Sequence, residues 1–191
     1  MLVETLIRKL LHLKGHYVTA VRQGPQQIVV EIERFKSRRL QRGVCRRPCR
    51  KIHQVGAARS WRDLSLRHLP MVLEYRPPRV RCPHCGVRRE AVPWAQLWAR
   101  VTTALARAVA ELARHLSWRE TARHFRLDWK SVASIVRRVV TYGLARRRRQ
   151  PLHTLGIDEV SRRKGHHYLT VVYDLERRVL LWVARIASKR L

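Results

Sequence analysis

Acidic residues are scarce in this chain: its 191 residues carry 13 Asp and Glu against 42 Lys and Arg, a formal net charge of +29. Most of the positive charge therefore has no internal counter-charge. Such a surface repels itself unless a polyanion lies against it, and nucleic acid is the commonest polyanion. The bias runs through most of the chain, which disfavours a merely solvated basic face. An anionic membrane is disfavoured too, because basic membrane binders concentrate charge in one amphipathic helix or juxtamembrane cluster.

Long apolar runs are also missing, and none approaches membrane-spanning length. Residues 2–13 are rich in leucine, but Glu4, Arg8 and Lys9 interrupt them. Val3, Leu6, Ile7 and Leu10 recur at helical spacing, so the segment is expected to be a short amphipathic helix and not a signal peptide. The expectation is a soluble protein that stays in the cytoplasm, associated with the nucleoid and with no membrane partner. Cysteine is limited to four residues. In a cytosolic chain these are metal ligands more often than disulfides. Apolar residues are not lacking: a hydrophobic share of 46% excludes a disordered polycation.

The patterning divides the chain. Residues 1–36 predict the short helix, a basic turn, and a strand over Gln27–Phe35, where Ile28, Val30 and Ile32 alternate with polar neighbours. Residues 37–93 hold all four cysteines and show no helical period, as expected of a loop-and-strand module that needs an external staple. A helical period over residues 94–145 predicts three helices. In the first, which starts at Trp94, Leu97, Val101, Leu105, Val109, Leu112 and Leu116 form one stripe. Ser117 with Glu120 forms a capping box for the second, Asp128 caps the third, and Gly143 is expected to end it. Residues 146–153 form a basic linker. Over residues 154–191, Leu155–Val160, Tyr168–Asp174 and Val179–Ile186 predict a three-stranded meander. Three bare strands make a poor domain, so they are expected to begin a larger fold.

Cys82-Pro83-His84-Cys85-Gly86 has the form of a zinc knuckle: two thiolates two residues apart, followed by a glycine that lets backbone amides turn toward the sulfurs. Cys45 and Cys49, with three residues between them, remain within the ligand spacing of structural zinc. The four together predict one structural zinc ion, with His53 and His84 as reserve ligands. Four reduced cysteines without metal are the alternative, but both pairs sit in turns rich in Pro and Arg.

Trp118–Arg138 fits a helix-turn-helix. Ala122 is the small residue where the first helix meets the second, and Val132 and Ile135 are the residues the second must bury. That leaves Lys130, Ser131, Ser134 and Arg137 exposed near its N-terminus, able to reach base edges and phosphates in a major groove of double-stranded DNA. Arg126 stands where a turn glycine is usual. The run Arg146, Arg147, Arg148 and Arg149 suits phosphate contact without sequence reading. An ordinary helical hairpin has the same pattern, and the cationic face favours DNA.

Asp158 interrupts the apolar run Leu155-Gly156-Ile157-Asp158-Glu159-Val160. A carboxylate on a central strand is costly to bury unless it is paired or binds a cation. Phosphoryl transfer by two metals needs several carboxylates around ions roughly 3.5–4 Å apart. After Glu159 only Asp174 and Glu176 remain, both near a turn.

The order of parts resembles the ISL-three family of bacterial insertion-sequence transposases: a cysteine module, a Ser-Trp-Arg-Glu-Thr-Ala helix-turn-helix (residues 117–122), then Leu-Gly-Ile-Asp-Glu-Val. The continuation from Ser161 through Lys164-Gly165-His166-His167-Tyr168 to Asp174 carries the likeness furthest. The resemblance implies a ribonuclease-H-like catalytic domain in which an Asp, Asp, Glu triad binds magnesium. Asp158 matches the first aspartate, and the other two acids are not in this sequence. The resulting expectation is an α+β chain of several parts: a zinc-ribbon-like β module, a helix-turn-helix domain and an incomplete, C-terminally truncated ribonuclease-H-like meander. It would bind transposon terminal repeats, and it would be inactive alone. Its oligomeric state is open, with a homo-oligomer among the options. A stand-alone zinc and helix-turn-helix regulator is the alternative. A ribosomal-type RNA-binding zinc protein explains the charge but not the helix-turn-helix.

Overall fold

A computed structural model describes residues 3–49, 51–147, 150–163 and 167–185. The architecture is mixed α+β, and the chain divides into two compact units, Met1–Ala145 and Arg146–Leu191.

In the first unit, α1 (Val3–Leu10) precedes β1 (His16–Gln23) and β2 (Ile28–Arg34), an antiparallel hairpin. A second hairpin pairs β6 (Arg59–Leu66) with β7 (Leu69–Tyr75). The two hairpins join through β2 and β7, which run parallel with Ile28 opposite Met71, giving the strand order β1-β2-β7-β6. Alternation along β2 puts Ile28, Val30 and Ile32 inward, as the sequence pattern predicts. The segment expected to be a basic turn is instead β1; a register shift between Val18 and Ala20 breaks its alternation and hides the strand.

The core under this sheet gathers Leu13, Val18, Val30, Trp61 and Leu73, closed over by Trp94, Ala95 and Ala99. His16 lies within it, fully buried, with Tyr75 and Trp94 edge-on at ring-centroid distances of 5.0 and 4.9 Å. Edge-to-face pairs contribute about 0.5–1.5 kcal/mol each beyond the area they bury. Burial holds the His16 imidazole at a pKa of about 4, with Arg38 and Arg34 adding to the lowering against a hydrogen bond to the Lys14 carbonyl. The Tyr75 hydroxyl donates to Glu90 at 2.7 Å, and burial raises the Glu90 carboxyl above its usual range.

The involvement of Trp94, Ala95 and Ala99 in this core corrects the expected helix from Trp94. Residues 94–101 are irregular, and α2 runs only over Thr103–Leu112, capped by the Thr102 hydroxyl, which accepts from the Leu105 amide. Their apolar spacing serves two cores in turn, not one helix face. α3 (Trp118–Phe125) opens with the Ser117–Glu120 capping box, and α4 (Trp129–Leu144) with Asp128, whose carboxylate accepts from the Lys130 amide at 2.7 Å. Gly143 does not end α4, which continues to Leu144. The three helices enclose a second core of Val101, Leu105, Val109, Ala122, Val132 and Ile135.

The second unit holds β10 (Leu155–Arg163), β11 (His167–Asp174) and β12 (Val179–Arg185), an antiparallel meander. Among the described residues no helix is long and apolar enough to cross a membrane.

Candidate functional site

The cysteines sit on two small hairpins. β3 (Leu40–Gln41) and β4 (Pro48–Cys49) frame the first, with Leu40 opposite Cys49. β8 (Arg79–Cys82) and β9 (Gly86–Arg89) frame the second, with Cys82 opposite Gly86, and β5 (Ile52–Gln54) flanks β8. Gly86 has the left-handed φ of 69° that the knuckle turn requires. Gly43 donates its amide to the Arg89 carbonyl at 3.0 Å, and a Cβ there would meet that oxygen at 2.5 Å. The approach that glycine permits brings the first knuckle against the second.

Cys45, Cys82 and Cys85 converge, with their sulfurs within 4.8 Å of one another. Cys49 is not part of that group; its Sγ lies 3.4 Å from the Lys51 carbonyl oxygen. His53 and His84 are exposed and also outside it. Burial pushes the Cys82 thiol up, but the backbone amides of His84 and Cys85 and the neighbouring thiols outweigh that and hold it at about 7. Burial raises Cys85, and the adjacent sulfurs of Cys82 and Cys45 add to it. A thiol held near neutrality by aimed amides, with two more sulfurs in reach, is a donor set for a soft divalent cation. It can hold a metal; tetrahedral zinc takes four ligands.

On α4, Val132 and Ile135 are buried against α2 and α3, while Lys130, Ser131, Ser134 and Arg137 are all exposed. Arg126 closes α3 at φ 52° and ψ 50°, the left-handed cap in which glycine is usual. The turn is therefore made as a glycine would make it, at some conformational cost. Sequence reasoning missed how this helical group is held. Arg62 of β6 exchanges backbone hydrogen bonds with Arg100 and Thr102, and its guanidinium donates to the Phe125 carbonyl at 3.4 Å. Arg126 donates to the His68 carbonyl, also at 3.4 Å. The buried bond from Thr102 to Asp63 ties the same group to the sheet, and with 39 positions between the two residues it leaves no local signal.

In the second unit Arg147 donates to the Leu180 carbonyl at 2.9 Å, and Arg148 and Arg149 lie outside the described residues. Asp158 is exposed on β10 opposite Val171, and its carboxylate accepts from the Glu159 amide at 2.7 Å. Asp174 is buried. It accepts from the Arg177 amide at 3.0 Å and pairs with the Arg177 guanidinium at 3.3 Å, closing the β11–β12 turn. Asp174 stands opposite Leu155, three ladder positions from Asp158 and on the other face of the sheet. The two carboxylates are not brought together.

Residues 90–140 match the helix-turn-helix domain of transposase family ISL3. The chain is 37% identical over 143 residues to the transposase for insertion sequence element IS1557 of Mycobacterium tuberculosis; the match covers 74% of this chain and 32% of that protein. It is 31% identical over 140 residues to the transposase for insertion sequence element IS1001 of Bordetella parapertussis, covering 73% of this chain and 34% of that protein. No solved structure matches. The chain is similar to ISL3-type insertion-sequence transposases and spans about a third of the length of the curated relatives it matches.

Proposed function

We propose that the chain is the DNA-recognition part of an insertion-sequence transposase and binds the terminal repeats of its element. One observation carries this: α4 buries Val132 and Ile135 while leaving Lys130, Ser131, Ser134 and Arg137 on one exposed face beside its capped N-terminus. That disposition suits a recognition helix whose first turns enter a major groove. The surplus of positive charge supplies the sequence-independent attraction to phosphate.

The cysteine knuckles hold structural zinc in this proposal, through Cys45, Cys82 and Cys85 with Cys49 of the same hairpin as fourth ligand. The second unit is the start of a ribonuclease-H-like domain with Asp158 as its first metal-binding acid; magnesium belongs to the complete site. Arg146 to Arg149 would add phosphate contacts, in a cell compartment shared with the nucleoid.

The test is selection of duplexes from a random-sequence pool, followed by affinity measurements on the selected and on unrelated DNA. Lys130→Ala and Arg137→Ala should each weaken binding to the selected duplex by about 1–3 kcal/mol more than to unrelated DNA, as removal of a base-edge hydrogen bond does. Equal losses on both would reduce α4 to a non-specific anchor.

A further inference from the structure

The parallel pairing of β2 with β7 places the β1–β2 and β6–β7 turns at the same end of the sheet. Arg22, Gln26, Gln27, Arg62 and Pro70 line one cavity there, so the two turns are neighbours. The β6–β7 turn is the two-residue Arg67-His68, exposed with its flanking Leu64, Ser65 and Leu66. It is fastened to the helix-turn-helix: Arg126, two residues before the α4 cap, donates to the His68 carbonyl. Arg62, from the same hairpin, donates to the Phe125 carbonyl at the end of α3. The hairpin tip is thus fixed beside the N-terminus of α4, the end that carries Lys130 and Ser131.

Two further features bear on this tip. Arg67 has a φ of 54°, in a hairpin turn where Gly, Asn or Asp is favoured. A long cationic side chain is kept at a position that disfavours it, as happens where strain serves a function. The acids nearby are already committed: Asp63 is buried and accepts from Thr102 and Leu64, Glu31 pairs with Arg22, and Asp128 caps α4. Neither Arg67 nor Arg126 forms an ion pair among the described residues.

We propose that the β6–β7 hairpin acts as a wing: its Arg67 tip, with Arg126 at its base, grips the phosphate backbone of duplex DNA flanking the groove that α4 enters. This rests on the DNA-recognition proposal above and extends its footprint from one helix to a rigid pair of elements. The fastening to the α3–α4 turn makes the spacing between the groove-reading helix and the backbone-gripping tip fixed.

The experiment is hydroxyl-radical footprinting of the full chain on a duplex it selects from a random-sequence pool, with the salt dependence of its affinity. Arg67→Gly removes the charge at a backbone conformation glycine adopts freely, so the fold is preserved. It should expose a patch of backbone beside the α4 footprint and reduce the salt slope by about 0.9 for each phosphate that is no longer neutralised. Arg67→Lys should keep both, and Arg67→Glu should weaken binding further than Arg67→Gly. An unchanged footprint and slope in Arg67→Glu would overturn the wing and leave the α4 proposal standing, as would an equal weakening in the lysine variant. Failure of the unaltered chain to select any duplex would overturn both.

Discussion

The Thr102 hydroxyl donates a 2.6 Å hydrogen bond to a carboxylate oxygen of Asp63, and both residues are buried. That oxygen also accepts from the Leu64 amide at 2.8 Å, and the Thr102 hydroxyl in turn caps α2. One contact therefore links the sheet to the first turn of the helical group. Thr102→Val should deprive a buried carboxylate of one of its two hydrogen bonds and remove a cap, costing about 2–4 kcal/mol in urea unfolding. Asp63→Ala removes the charge together with its hydrogen bonds and should cost less. A loss below about 0.5 kcal/mol for Thr102→Val would show that the sheet and helices are held together by other means.

His16 predicts a pH dependence. Its folded pKa of about 4 lies below the ordinary 6.5, so the native state binds fewer protons than the unfolded chain between those values. The stabilising contribution is complete above about pH 6.5 and is lost as pH falls toward 4, by up to about 1.4 kcal/mol per pH unit. Glu90, whose pKa is raised by burial, acts in the opposite sense above its usual range. Comparison with His16→Phe therefore isolates the imidazole: the variant should have a flatter stability profile between about pH 7 and 5. Parallel profiles for the two proteins would remove His16 as the cause.

Metal analysis of purified protein should find about one zinc per chain. Cys45→Ser, Cys82→Ser and Cys85→Ser should each abolish its retention, because their sulfurs already converge. Cys49→Ser should weaken retention less, since Cys49 must leave the Lys51 carbonyl to bind. Structural zinc contributes on the order of 10 kcal/mol to small modules. Chelation should therefore unfold the two knuckles before the α2–α4 core, as read by hydrogen exchange. Knuckles that stay protected without metal would refute a structural ion.

With magnesium or manganese and a duplex, this chain should show no nicking that depends on Asp158. Two-metal chemistry must stabilise both attacking and leaving oxygens, and among the described residues Asp158 belongs to no group of three or more metal-donor side chains. Asp174 is on the other face and committed to Arg177. Asp158→Ala should leave DNA affinity unchanged. Nicking that vanished in that variant would mean that an acid from elsewhere completes the site.

Local signals were legible in the sequence. The Ser117–Glu120 box, the Asp128 cap, the buried stripe of α4 and the meander all depend on residues within a few positions of one another. What escaped was long-range. Leu97 and Val101 continue the helical spacing of Leu105, but the segment from Trp94 that carries them is irregular and gives Trp94, Ala95 and Ala99 to the sheet core, so α2 starts later than its stripe. The parallel β2–β7 pairing and the Asp63–Thr102 bond leave no periodic trace. At the knuckles, spacing marked all four cysteines, while the structure groups three of them where the two hairpins meet at Gly43 and Arg89.

The β2–β7 ladder also sets an order of assembly. Each hairpin of the sheet closes over a short turn, on the microsecond scale, but joining Ile28 to Met71 must close a loop of about forty residues. On a chain emerging from the ribosome that loop can close once β7 is out, well before Thr103 and α2 follow. The helices are then laid onto a finished platform, with Asp63 already in place to receive Thr102. Substitutions that weaken the Ile28–Met71 register should slow folding of the whole unit, and those within α4 should mainly hasten its unfolding.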